Sequence, residues 1–288
     1  MTVDAETAIL RGTSHRFGRP TMTTFTYILA AALAAGVLST IAAAATLALH
    51  SRWISRLVSF AVGALLGAVF LELLPEALEG GSAAYVMGIV LIGLLVFFLL
   101  EKLVLWRHAH GHEEHRADGD ESEHDHALHG HGPATAETDG GRSGIMILIG
   151  TSVHNFCDGV VIAASFLVSV QLGVAATLAI IAHAVPQHVG DFAVLVHSGF
   201  RRARAFTYNI TAGCATIVGA LAGYFVFAEE PQVLPTVLAA AAASLLYVAV
   251  ADLIPSLHRR PEPLETAKQM LLIGLGVAVI GGVGELLH

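Results

Sequence analysis

Eight apolar stretches, each long enough to cross a bilayer, decide what this chain can fold into. They cover roughly residues 25–49, 54–78, 83–106, 144–170, 172–198, 204–228, 233–257 and 266–287. About 20 apolar residues span the hydrocarbon as a helix. Lipid offers no partners to backbone N–H and C=O groups, so each run must satisfy its own, which a helix does and an open strand does not. The composition agrees: 13% of residues are charged and 55% hydrophobic, against about 25% charged in soluble domains. The expected fold is all-α, a polytopic membrane protein with an eight-transmembrane-helix bundle. Tight turns are expected at 170–173 and 229–232.

The same runs divide the chain. A polar N-terminal tail (1–24) precedes transmembrane helices 1–3 (25–106), a His-rich loop (107–143) and transmembrane helices 4–8 (144–288). The tail carries Arg11, Arg16 and Arg19. The apolar run after it exceeds the roughly 7–15 residues of a secretory h-region, so it reads as a retained span. Met22 offers an alternative start. Basic loops stay cytoplasmic, and placing both the N- and C-termini outside puts every basic residue beyond the tail on the cytoplasmic side. These are Arg52, Arg56, Lys102, Arg107, Arg116, Arg142, Arg201, Arg202, Arg204, Arg259, Arg260 and Lys268. The expected location is the plasma or inner membrane.

By this topology the loop after helix 3 is cytoplasmic. It carries eight histidines between His108 and His131, many acids and almost no large apolar residues. Such a segment cannot bury enough surface to fold alone, and His-rich tracts bind divalent metals by composition. The net charge of −8 owes much to this loop and points to no nucleic-acid partner. The expected partners are divalent metal ions and the lipid bilayer. Cys157 and Cys214 lie inside apolar spans and form no disulfide framework.

Spans four and five carry polar residues that a lipid-facing helix avoids. The first reads GIMILIGTSVHNFCDGVVIAASFLVSV and the second LGVAATLAIIAHAVPQHVGDFAVLVHSG. Ionisable groups at bilayer depth cost several kcal/mol at least on insertion scales, about 2.5–3.5 for Asp, and mark functional sites by default. His154 and Asp158 are one turn apart and differ by roughly 40° in direction, so both reach toward one point. Ser165 and Ser169 continue that stripe. His183 and Gln187 repeat the spacing on the next helix, Asp191 extends it, and Asn155 and His188 flank the two stripes. Two imidazoles with a carboxylate and an amide oxygen can hold zinc, and the mixed set also suits iron, manganese or cobalt. Cys157 points away from Asp158. Pro186 cannot bond the carbonyl of Ala182, which leaves an acceptor free beside His183. Glu72 and Glu76 in span two, and Asp252 in span seven, adjoin prolines near span ends; Asp252 reads as solvated at the interface, and Glu72 as deep enough to line a pathway. The small-residue runs GALLG (63–67), GCATIVGALAG (213–223) and GLGVAVIGG (274–282) read as helix packing.

HNFCDGVVIAASF and HAVPQHVGDFAVLVHSG resemble the fourth and fifth helices of the ZIP family of divalent-metal transporters, closest to its LIV-1-like branch. LLGAVFLELLPEAL (65–78), LYVAVADLIPSL (246–257), the eight-span layout and the His-rich loop agree with it. The resemblance implies that His154, Asn155, Asp158, His183 and Gln187 stand at metal-ligand positions. It also implies a homodimer, no cofactor, no enzyme activity, and Zn²⁺ or a similar divalent cation as transported substrate. Ala184, His188, Ala68, Glu72 and Ala215 depart from the family pattern, mostly by removing negative charge. One metal per transport site is therefore expected, with His188 and Asp191 as a further weak station. The expected direction is into the cytoplasm. Two other readings share part of this pattern: a cation-diffusion-facilitator exporter, which has the HxxxD spacing of His154 and Asp158 but usually six spans, and an intramembrane zinc hydrolase, whose H-E-x-x-H is missing because Ala184 follows His183.

Overall fold

Each of the eight apolar runs is a helix. The computed structural model describes residues 21–46, 51–110, 142–258 and 262–287. Most of the N-terminal tail and the His-rich stretch from 111 to 141 lie outside the described residues. The spans are α1 (Met22–Ala44), α2 (Ile54–Gly80), α3 (Ala83–Leu100), α4 (Gly144–Val168), α5 (Val170–His197), α6 (Arg202–Phe227), α7 (Pro231–Leu257) and α8 (Pro263–Leu286). No strand occurs among the described residues.

The turn expected at 170–173 falls earlier, on Ser169 alone. Its backbone is extended (φ −155°, ψ 155°) and its Oγ accepts from the Leu172 amide at 3.1 Å. A serine that caps the next helix satisfies an otherwise orphaned N–H. That takes it out of the polar stripe projected along α4.

α2 and α5 form the middle of the bundle, with 67% of each apolar window buried, against 11% for α3. The core joins Ile28, Leu65, Leu73, Ile162, Ile180, Leu238 and Leu245 from five helices. α4 lies along α6, and α2 along α8. The backbones meet there because side chains are absent. A Cβ on Gly219 would run into the carbonyl oxygen of Phe156, and one on Gly159 into that of Thr216. Gly63 and Gly276 do the same for α2 and α8. Small residues permit this approach in lipid, where packing drives association.

Three helices widen into π turns: Ala34–Leu38 in α1, Ala68–Leu73 in α2 and Val248–Leu253 in α7. In α2 and α7 the wide turn runs up to a proline, Pro75 and Pro255. The amides just before them, Leu74 and Ile254, bond five residues back to Val69 and Ala249. A proline ring clashes with the carbonyl four residues earlier, and an extra residue in the turn relieves that clash. Each of these two wide turns holds an acid, Glu72 or Asp252, three residues before its proline. Such bulges are frequent at functional sites.

Gly219→Val should cost about 1–3 kcal/mol by overpacking the α4–α6 contact, read as a lower midpoint for thermal loss of the monodisperse protein in detergent. Gly274→Ala, where a Cβ meets open space, should leave the midpoint unchanged.

Candidate metal site

His154 and Asp158 face the same way from α4, and α5 brings His183 against them. The two Nε2 atoms are 3.2 Å apart. Asp158 Oδ2 lies 3.5 Å from His154 Nε2 and 3.4 Å from His183 Nε2. These three residues form the metal-competent cluster found among the described residues. Ligands about 2.05 Å from a tetrahedral zinc lie about 3.3 Å from one another. The three measured edges bracket that value, so the atoms already stand on three corners of a zinc-sized tetrahedron.

Local structure fixes these donors. His183 Nδ1 donates to the Ala179 carbonyl at 3.1 Å, which leaves Nε2 with its lone pair toward Asp158 and His154. Metal-bound histidines hold their second nitrogen in this way. The Asp158 and His183 side chains are 2% and 1% exposed, while His154 is 18% exposed and forms the open side. Asp158 Oδ1 is buried and has no hydrogen-bond partner among the described residues. A desolvated carboxylate oxygen without a donor is costly, and a cation in the cluster would answer it.

The other expected ligands have partners or surroundings of their own. Asn155 is buried, and its Nδ2 donates to the Ala212 carbonyl on α6 at 3.0 Å. Gln187 is half-buried one turn beyond His183. His188 is buried and turned to α6, where Nδ1 meets Asn209 Oδ1 at 2.8 Å. Asp191 accepts from Thr151 Oγ1 at 3.0 Å and lies 4.0 Å from His188 Nδ1. Cys157 and Cys214 are free thiols.

Asn209 and Thr151 escaped the sequence reading, although an asparagine inside an apolar span was a visible signal. Asp252 is exposed and lies within electrostatic reach of both His154 and His183. Glu72 lines a cavity of about 530 Å³ together with Glu76, Glu79 and Glu285.

The model of the ZIP zinc transporter family matches residues 20–284. The chain is 31% identical over 244 residues to zinc transporter ZIP13 of Pongo abelii, covering 79% of this chain and 66% of that protein. It is 32% identical over 274 residues to the ZIP13 homolog of Drosophila melanogaster, covering 80% and 77%. Against zinc transporter YKE4 of Saccharomyces cerevisiae it is 29% identical over 253 residues, covering 81% and 71%. The chain thus spans about two thirds to three quarters of the length of these relatives. A bundle of eight apolar helices around a buried His–Asp–His cluster, matched almost end to end by the family model, belongs to the ZIP zinc transporter family.

Proposed function

We infer that this protein carries a divalent cation, Zn²⁺ foremost, across a membrane through the cluster of His154, Asp158 and His183. The observation that carries the reading is the spacing of three ligand atoms at tetrahedral edges inside the bundle. The cation is the transported substrate rather than a resident cofactor. It sheds water as it enters; the two imidazole lone pairs and the carboxylate replace that shell, and the fourth corner stays open to water or the next ligand. One carboxylate leaves a 2+ ion incompletely neutralised. Binding of that kind is strong enough to select a cation and weak enough to release it. Two imidazoles also make binding depend on protons, because a protonated ring offers no lone pair. The family assignment leaves no ground for the hydrolase or exporter readings.

The cluster takes a single cation in this reading, since Ala184 and Ala68 remove the acids that would be shared by a second. Transport runs into the cytoplasm, with both termini outside and the loop at 107–143 as the receiving side. The distribution of lysine and arginine supports that orientation. The resemblance to the family supports a homodimer in the plasma or inner membrane.

Purified protein in zinc-loaded proteoliposome assays tests the cluster. His154→Ala, Asp158→Ala and His183→Ala should each lower Zn²⁺ flux by about 100-fold or more, at or beyond the upper end of the ~10–100-fold cost of losing an outer-shell partner. Their melting midpoints in detergent should stay near wild type. Flux at the wild-type level in any of the three would contradict the assignment. For orientation, the thiol of Ser82→Cys in the α2–α3 turn should react with an impermeant maleimide on intact cells, and that of Ser198→Cys at the end of α5 should not. The reverse pattern would invert the topology.

A further inference from the structure

His188 stands outside the cluster, yet its surroundings are those of a metal ligand. The ring is 1% exposed. Its Nδ1 and Asn209 Oδ1 are 2.8 Å apart, and Asn209 Nδ2 donates to the carbonyl of His188 itself, also at 2.8 Å. The second bond fixes the first. With the amide nitrogen committed to the carbonyl, the oxygen must face the ring, so Nδ1 carries the hydrogen and the neutral ring holds its lone pair on Nε2. That Nε2 is buried and has no hydrogen-bond partner among the described residues. A buried polar atom left unpaired is costly. Turning the ring to relieve it would break the Nδ1 bond to Asn209, whose amide is itself fixed on the His188 carbonyl.

We propose that His188 is a ligand in its own right, a relay station for the cation one step past the His154–Asp158–His183 cluster, and that Asn209 on α6 is the residue that positions it. The proposal rests on the carrier reading for its role and on the clamp for its geometry. Five residues along α5 separate His188 from His183, an axial step of about 7.5 Å. Asp158 lies within electrostatic reach of His188 as well as of the two cluster imidazoles. The same five residues turn His188 about 140° around α5 from His183, so the bare Nε2 offers a separate position toward the C-terminal end of α5, still under the field of Asp158. Asp191 has a supporting part in this proposal. It lies on the Nδ1 side of the ring, 4.0 Å away, and is held by Thr151. It therefore backs the imidazole and does not share its metal. Metal-bound histidines hold their second nitrogen on such an outer acceptor, whose loss costs about 10–100-fold in affinity or activity.

The test uses the full-length protein in proteoliposomes with Zn²⁺, Cd²⁺ and Mn²⁺ as cargo. His188→Ala should cut the maximal Zn²⁺ rate about tenfold and raise the Michaelis constant far less, because the cluster still loads. Asn209→Ala should do the same, and the double variant should be no slower than His188→Ala. His188→Cys should keep transport and raise the Cd²⁺-to-Mn²⁺ rate ratio about tenfold, because a thiolate prefers the softer ion. A ring that only packs would lower all three rates together and leave the ratio unchanged, and that result overturns the proposal, as does a wild-type rate in His188→Ala. Protection of the His188→Cys thiol from maleimide by Cd²⁺ in detergent, followed by peptide mass, reads the ligand without transport. Protection supports the station even if wild-type vesicles move no cation, an outcome that would count against the carrier reading alone; labelling at the same rate with and without Cd²⁺ overturns the station.

Discussion

Three lone-pair atoms crowd together inside the bundle: two imidazole nitrogens and a carboxylate oxygen within 3.2–3.5 Å of one another. His183 has already given its one N–H to Ala179, so its other nitrogen has only a lone pair to offer. Burial sharpens the conflict, since Asp158 is withdrawn from water and its second oxygen is unpaired. A proton satisfies one edge of the triangle; a divalent cation satisfies all three at distances zinc chemistry already prefers. The remainder of the bundle serves to hold this triangle together and to let it be reached and left.

Holding it together is a matter of backbone proximity. α4 is pinned to α6 through Gly159 and Gly219, where backbone meets backbone, and through the amide of Asn155 on the Ala212 carbonyl. α6 in turn grips α5 through Asn209 and the His188 carbonyl. The two ligand-bearing helices therefore share a third helix as a jig. The π turns in α2 and α7 provide the contrast. There the helix widens ahead of a proline, a feature frequent at functional sites, and each wide turn holds an acid, Glu72 at the 530 Å³ cavity and Asp252 within reach of the cluster histidines.

Much of this was legible beforehand, for reasons that differ by residue. The spans follow from lipid's refusal to hydrogen-bond a backbone, and the pairing of His154 with Asp158 follows from helical periodicity alone. His183 joined them because a histidine at bilayer depth has few other uses. Directions within one helix say nothing about which neighbour will face them, and there the projection fell short. Ser169 left its stripe to cap α5. Asn155 ties its amide nitrogen to α6 and His188 its Nδ1 to Asn209, contacts that no helical wheel predicts. Asn209 itself stood in plain view as a lone amide among small apolar residues, but its partner is set by how α5 and α6 cross. Pro75 and Pro255 marked a disturbance, while whether a helix kinks or widens there is decided by its packing. The His-rich stretch from 111 to 141 lies outside the described residues and remains a proposal from composition.

The most direct measurement is an anomalous-difference map at the zinc edge from zinc-loaded crystals of the full chain. The account predicts one strong peak between α4 and α5, with His154 Nε2 and His183 Nε2 each about 2.0–2.1 Å away and an Asp158 oxygen about 2.0–2.2 Å away. A map in which zinc lies elsewhere in the bundle, or in which His154 and His183 turn from each other and bind none, would contradict it.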